Sequence, residues 1–238
     1  MWGDGRDAST LLTWEQVVGA SPDQRESHPK LRSAREVGST NENSFSLDMR
    51  AIPGRVDWFV TPVSPTSPDE AVSMFMRLPV LSEALDIFAH MIFEKSIDAY
   101  SAARFALGVA AVRPTASVRA SYAELARLLP DVKVPLEGAS DLFFQINRPR
   151  KSKSVAGHEL NRLSRWMSIA SGQLIFPQLT FAFPPVQIRG DSVFATRVEL
   201  DISTGAERQT EIPLDERRSL LNEMLDSAKE SLESGDRP

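Results

Sequence analysis

The chain of 238 residues is 42% hydrophobic and 25% charged, a balance that supports a sizeable buried core in one large domain or two small ones. It contains no cysteine, which excludes disulfides, thiolate metal sites and a cysteine nucleophile. Its net charge of −5 argues against a general attraction to nucleic acid.

The sequence carries no pattern of export or of membrane insertion. Its first residues lack a cationic stretch followed by an apolar run, and no segment approaches the roughly 20 apolar residues that span a bilayer. Together with the lack of cysteine, this pattern predicts a cytoplasmic protein with no membrane association.

The first 43 residues are rich in Gly, Ser, Asp, Glu, Asn and Arg. Within them, only "LLTWEQVV" has the spacing of a short amphipathic helix that could dock on a core. The composition predicts a flexible amino-terminal arm over 1–43, followed by a single domain over 44–238.

The predicted domain begins with a β-hairpin and a helix. In "SFSLDMR" and "RVDWFVTP", apolar and polar residues alternate on either side of a Pro53-Gly54 turn, which predicts the hairpin. The segment "VLSEALDIFAHMIFEKSI" (80–97) repeats apolar residues at helical spacing and predicts a helix that packs on the core. The next segment, "RFALGVAAVRP" (104–114), is apolar at odd and even positions, which is typical of a strand buried on both faces.

The carboxyl-terminal half continues with short helix and strand patterns. "SYAELARLLP" predicts a helix capped by Ser121, and "SDLFFQINR" predicts a strand. "GQLIFPQLTFAFPP" and "SVFATRVELDIST" predict further strands, and "LDERRSLLNEMLDSAKESL" predicts an amphipathic helix. Because strands outnumber helices and come in runs, we expect an α+β fold with a mixed or mainly antiparallel sheet and helices packed on one face.

One candidate for metal chemistry lies on the helix predicted over 80–97. Asp86, His90 and Glu94 stand at i, i+4 and i+8, so their side chains form a column that could hold a divalent ion. The alternative is a solvated polar face opposite the apolar one. No second cluster of ligands elsewhere in the sequence supports a metal site, so none is assigned.

A second candidate lies near the strand predicted over "SVFATRVELDIST". Asp191, Glu199 and Asp201 follow the order of a nuclease carboxylate cluster, but a restriction-type nuclease has a lysine where this chain has Asp201. Outward polar residues on a half-exposed strand explain the same pattern. The chain also lacks the glycine-rich motifs of nucleotide sites and the G-x-S-x-G of serine hydrolases, so we expect no cofactor and assign no catalytic residue.

A basic segment interrupts the acidic chain between two predicted strands. Against the single acid Glu159, it places six cations within 18 positions, a local charge of +5: Arg148, Arg150, Lys151, Lys153, Arg162 and Arg165. Guanidinium groups bind phosphate or carboxylate through paired hydrogen bonds, and the nearby Asn147, Asn161 and Trp166 would add hydrogen bonds or stacking.

This basic segment has three interpretations. Arg148 or Arg162 could form salt bridges with acids of the same sheet, for which Asp141, Glu159 and Glu199 are candidates. The segment could instead contact a partner protein, or it could bind nucleic acid or a phosphate ligand. Binders of single-stranded nucleic acid usually interleave several aromatic residues with the charges, and here only Trp166 is near.

Four segments of the chain resemble a known family. "PGRVDWFVTP", "FALGVAAVRP", "LLPDVKVPLEGASDLFFQINRPR" and "ELNRLSRW" are similar to segments of a sporadically distributed bacterial family of uncharacterised proteins. The resemblance covers residue 44 to the carboxyl end, and the pair "QINRPR" and "NRLSRW" is its most specific part. It implies a bacterial cytoplasmic protein and supplies no reaction, cofactor or catalytic residue.

From the sequence we expect a non-enzymatic binding protein, a subunit or adaptor of a larger assembly, that meets its partner through residues 147–166. The alternatives are a metal-dependent hydrolase or nuclease, and a nucleic-acid-binding module that uses the same segment. The residues expected to bind a protein partner or an anion are Asn147, Arg148, Arg150, Lys151, Lys153, Asn161, Arg162, Arg165 and Trp166.

Overall fold

The structure is a computed structural model that describes residues 13–39, 45–63, 81–97, 102–133, 142–171, 193–205 and 211–237. These residues divide into two compact units. The first unit holds 13–39, 45–63, 81–97 and 102, and the second holds 103–133, 142–171, 193–205 and 211–237. Both units combine helices with antiparallel strands, which confirms the α+β class and the antiparallel sheet.

The first unit is built on a four-stranded antiparallel sheet in the order β1-β2-β3-β4. Its strands are β1 (Gln24–His28), β2 (Ser33–Ser39), β3 (Phe45–Ile52) and β4 (Arg55–Pro62). The hairpin between β3 and β4 turns through Gly54, whose φ of 76° suits glycine, and this hairpin was predicted from the alternating apolar residues.

Two helical segments complete the first unit. The short α1 (Trp14–Val18) precedes β1, and α2 begins as an α-helix over Leu81–Asp86, continues as a π-helix over Ile87–Phe93 and ends as an α-helix over Glu94–Ser96. Both helices were predicted. Their apolar residues and those of β3 form the core, in which the rings of Trp14 and Trp58 stack with centroids 5.6 Å apart.

The described part of the predicted arm, residues 13–39, is ordered, so the flexible-arm prediction does not hold there. Trp14 is buried in the core, β2 extends the sheet by pairing with β3, and β1 extends it further by pairing with β2. The sequence shows no strand pattern here because β1 is exposed along its whole length and β2 buries only Glu36 and Gly38. Their order comes from main-chain pairing, of β2 with β3 and of β1 with β2, and such pairing leaves no apolar period.

The second unit contains a five-stranded antiparallel sheet. Its central strands β8 (Glu159–Ser171) and β9 (Val193–Thr204) pair along most of their length. Strand β5 (Ala106–Thr115) pairs with the outer side of β9, and both β6 (Phe143–Asn147) and β7 (Arg150–Lys151) pair with β8. The division into two units also replaces the single domain that was expected over 44–238.

Helices α3 (Val118–Leu128) and α4 (Leu214–Ser234) pack on the same face of this sheet, as predicted. From α3, the Ser121 hydroxyl donates a hydrogen bond of 2.9 Å to the carbonyl of Ala195 in β9. From α4, Ser231 shares a small cavity with Leu200 and Ile202, which lie on the same face of β9. The core of the unit lies between this face and the two helices and includes Leu125, Leu160, Trp166, Leu220 and Met224.

Two local predictions for this unit are wrong. Strand β5 is not buried on both faces, because it lies at an edge of the described sheet and buries Leu107 and Val109 while Gly108 is exposed. Helix α3 begins one turn before Ser121. Its N-cap is Ser117, whose hydroxyl accepts a hydrogen bond of 3.1 Å from the backbone N–H of Ala120.

The segment "GQLIFPQLTFAFPP", which was predicted as a strand, lies wholly outside the described residues. Across the described parts of the chain, no helix is both long enough and apolar enough to span a bilayer.

Candidate functional site

The basic segment forms a hairpin at one edge of the second unit's sheet. Arg150 and Lys151 form the short strand β7, which pairs with β8. Arg150 lies opposite Leu160, and Lys151 lies opposite Glu159. Residues 152–158 connect these strands, and the backbone N–H of Ser152 donates to the carbonyl of His158 to close the connection. The residues Lys151, Ser152, Lys153 and Ser154 are called the basic loop below.

Arg148 forms a two-point ion pair with an acid from the end of the chain. Its Nε and Nη2 donate to the two carboxylate oxygens of Asp236, each at 2.9 Å, and this hydrogen bonding raises the pKa of Arg148. The backbone N–H of Asp236 in turn donates to the carbonyl of Leu128, which fixes the position of the acid. The pair neutralises Arg148.

Arg150 and Arg165 are also paired within the chain. The guanidinium of Arg150 lies 3.2 Å from a carboxylate oxygen of Glu223, which α4 supplies. Arg165 lies 3.3 Å from Glu199 on the neighbouring strand and donates a hydrogen bond of 2.7 Å to Gln145. Three of the six cations of the basic segment therefore form salt bridges within the chain.

Glu223 also holds the basic loop itself. Its carboxylate accepts hydrogen bonds from the hydroxyls of Ser152 at 2.6 Å and Ser154 at 2.7 Å. The backbone N–H groups of Lys153 and Ser154 donate to the same carboxylate at 3.0 Å and 3.1 Å. The loop is therefore tied to α4 through its main chain as well as its side chains.

The pKa of Glu223 reflects these contacts. Burial raises the pKa of this carboxyl, but the hydrogen bonds from Lys153, Ser152 and Ser154 act more strongly together and lower it from 4.5 to about 2. Glu223 is thus ionised at every physiological pH. Sequence reasoning missed this residue, although an acid on the core-facing side of α4, next to Met224, was a usable signal.

Of the six cations of the basic segment, Lys151, Lys153 and Arg162 form no ion pair with an acid of the described chain. Both lysine side chains are exposed, and neither contacts an acid in the described parts of the chain. Arg162 is half-buried, and its Nε has no hydrogen-bond partner there. Burial lowers the pKa of Arg162, and the neighbouring Arg150 lowers it further.

The other residues expected at this site serve the fold. Trp166 is fully buried and donates its Nε1–H to the hydroxyl of Ser164 at 2.9 Å, so its ring is not exposed for stacking. Asn147 accepts a hydrogen bond of 3.1 Å from the backbone N–H of Arg162, and its amide lies 3.5 Å from that of Asn161. These two amides join β6 to β8.

The candidate metal column of α2 does not assemble. His90 Nδ1 lies 3.2 Å from Glu94 Oε1, and both side chains are more than 60% exposed. Asp86 makes no contact with this pair in the described structure. Among the described residues, no group of three His, Cys, Asp or Glu side chains could hold a metal ion.

The carboxylates near β9 are also poorly suited to metal binding. Glu199 already accepts a hydrogen bond of 2.8 Å from Arg197 and lies 3.3 Å from Arg165, so two guanidinium groups neutralise it. Asp201 is exposed on the same strand, and Asp191 lies outside the described residues. Two arginines on one carboxylate would repel a divalent cation.

Comparison of this chain with known proteins identified no relative. No protein-family model, curated protein or solved structure matches this chain.

Proposed function

We propose that this protein is a non-enzymatic cytoplasmic binding protein, a subunit or adaptor of a larger bacterial assembly, that recognises an acidic surface on a partner protein. The binding group is Lys151 and Lys153 of the basic loop together with Arg162 of β8. A single observation carries the proposal: Arg148, Arg150 and Arg165 form ion pairs with acids of the chain, whereas these three cations form none among the described residues.

The state of the loop supports the proposal. An exposed loop normally loses conformational freedom when it binds, and this loss weakens the complex. Here Glu223 already fixes the backbone of Lys153 and Ser154, while the side chains of Lys151 and Lys153 stay in solvent. The loop therefore presents two charges from a fixed main chain.

Arg162 supports the proposal because it forms no ion pair among the described residues, although Glu230 and Asp236 lie near enough to attract its charge. A half-buried guanidinium without an ion pair is costly, and a carboxylate on a partner would remove part of that cost. Arg162 lies two residues from Leu160, which pairs with Arg150 next to the loop, so one partner surface could reach the loop and Arg162 together.

The structure favours a protein partner over nucleic acid. Single-stranded nucleic acid is usually held by aromatic rings beside the charges, and Trp166, the aromatic residue expected to serve, is buried. Three cations also form a small patch for a polyanion on a chain with a net charge of −5.

The test is affinity purification of the tagged chain at native expression, followed by identification of the protein that remains bound. Lys151→Ala/Lys153→Ala removes the loop charges and should weaken binding of the purified partner about tenfold. The matched control, Lys95→Ala/Lys133→Ala, removes the same charge from two exposed lysines outside the loop and should keep wild-type affinity.

Raising the salt concentration should weaken wild-type binding and affect the loop variant less, because fewer charges remain to be screened. Equal affinity of the two double variants for the partner would contradict the proposed binding group. Retention of nucleic acid in place of a protein, lost in the loop variant, would favour the nucleic-acid-binding alternative.

A further inference from the structure

The basic loop contains a complete anion site that the chain fills with its own carboxylate. Two successive backbone N–H groups, two hydroxyls and one guanidinium converge on Glu223, at distances from 2.6 to 3.2 Å. Consecutive main-chain N–H groups that point to one centre form a concave anion site, such as those that bind phosphate or carboxylate groups.

Most of the donors to Glu223 are neutral, which sets this contact apart from an ordinary salt bridge. The Ser152 hydroxyl donates to Glu223 and itself accepts from the backbone N–H groups of Ser154 and Val155 at 3.2 Å and 3.0 Å. The Ser154 hydroxyl also lies 3.3 Å from the carbonyl of Ser219 on α4. The loop conformation is therefore determined by one acid and a set of short neutral hydrogen bonds.

We infer that Glu223 is a positioning residue that holds the basic loop in its binding form, so that Lys151 and Lys153 meet an acidic partner from a fixed backbone. This inference rests on the proposed function. Glu223 does not touch the partner, because only 8% of its side chain is exposed and its oxygens are occupied by the loop.

The sign of the charge effect makes the inference testable. Glu223→Gln removes a negative charge close to a loop that attracts acids, so electrostatics alone predicts tighter binding of an acidic probe. Loss of the loop conformation predicts weaker binding, because the loop must then be ordered at the moment of binding. The two effects have opposite signs, and a weakened complex can come only from the second.

The experiment measures two properties of the full chain. The first is hydrogen exchange of the Lys153 and Ser154 amides, and the second is the affinity for fluorescein-labelled poly-L-glutamate. Glu223→Gln should speed the exchange of both amides at least about tenfold and weaken probe binding several-fold. Asp226→Asn, the same change of charge at an exposed position of α4, should leave the exchange rates unchanged and not weaken binding.

A second variant covers the case in which Glu223→Gln does not fold. Ser154→Ala removes one donor to Glu223 at an exposed residue without changing the charge, and it should shift both measurements in the same direction by a smaller factor. Equal or tighter probe binding by either variant, together with normal dependence on Lys151 and Lys153, would overturn this inference alone. A wild-type chain that does not bind the probe would overturn the proposed function and this inference together.

Discussion

Asp48 in the first unit and Glu223 in the second are both buried carboxylates beside arginines, but different kinds of donors satisfy them. Asp48 receives two guanidinium groups, from Arg35 at 3.0 Å and from Arg50 at 2.8 Å. Glu223 receives one guanidinium, from Arg150, and otherwise neutral hydroxyl and backbone donors. The first acid serves mainly to neutralise cations, and the second mainly to shape a loop.

This difference decides which nearby cations are held in ion pairs. On the sheet of the first unit, Arg50 is held by Asp48 and also lies over the ring of Phe59, 5.0 Å from its centre. In the second unit, the neutral donors complete the shell of Glu223, so Lys151 and Lys153 are not drawn to it. A buried acid can thus order a basic loop without removing the charges of that loop.

The largest expected effect is on the stability of the second unit when Glu223 loses its charge. Glu223→Gln places an amide N–H₂ group where hydrogen-bond donors need an acceptor. The lowering of the pKa of Glu223 from 4.5 to about 2 corresponds to about 3 kcal/mol of unfolding free energy, which the variant should lose. Hydrogen exchange of α4 amides against urea concentration measures the loss. A loss under about 1 kcal/mol would show that the loop is held by something other than this carboxylate.

The second prediction concerns acid. Because the pKa of Glu223 is lowered on folding, its contribution is complete above pH 4.5 and declines as the pH falls toward about 2. The difference in unfolding free energy between wild type and Glu223→Gln should therefore shrink by about 2 kcal/mol between pH 7 and pH 3. A difference that stays constant over this range would contradict the lowered pKa.

The third prediction concerns the acid of the first unit. Burial raises the pKa of Asp48, but its hydrogen bonds with Arg50 and Arg35 lower it overall. Asp48→Asn leaves the guanidinium groups of Arg35 and Arg50 facing each other and should lower the unfolding free energy by about 1.5 kcal/mol. This is less than the loss expected when a fully buried ion pair is broken, because the Arg35 side chain is 41% exposed. Amide exchange in β3 measures this cost, and a larger cost than that of Glu223→Gln would reverse the comparison.

The smallest effect is expected for the loop lysines. Lys151→Ala/Lys153→Ala should change the unfolding free energy by less than about 0.5 kcal/mol, since both side chains are exposed and unpaired among the described residues. Urea unfolding of the double variant tests this. A clear destabilisation would mean that the lysines support the fold and would weaken their assignment to a partner.

Much of the fold was predictable from local patterns. The β3–β4 hairpin, α2 and α4 each turn one apolar face to a core, and β9 does so with Val198, Leu200 and Ile202, which leaves an apolar period in the sequence. The prediction failed for β1 and β2 because the edge strand β1 is wholly exposed and β2 buries only Glu36 and Gly38, so neither carries such a period. It failed for β5 because Gly108 and Ala110 are apolar by type but exposed.

The candidate site was predictable only in part. The basic segment was visible as a run of charge, but the acids that pair with Arg148 and Arg150 come from 88 and 73 residues further along the chain. Glu199, expected to pair with Arg148 or Arg162, pairs with Arg165 instead, and Asp141 lies outside the described residues. Pairing between distant segments depends on how they pack, and no local spacing encodes it.

The sequence by itself determined the α+β class, most of the described helices and strands, and the presence of a cationic hairpin, because these depend on the order of apolar and charged residues along short stretches. Only the tertiary structure decided which of those cations keep their charge available. Packing brings Asp236 and Glu223 against the hairpin, and a charge is neutralised only by an acid that lies within contact distance.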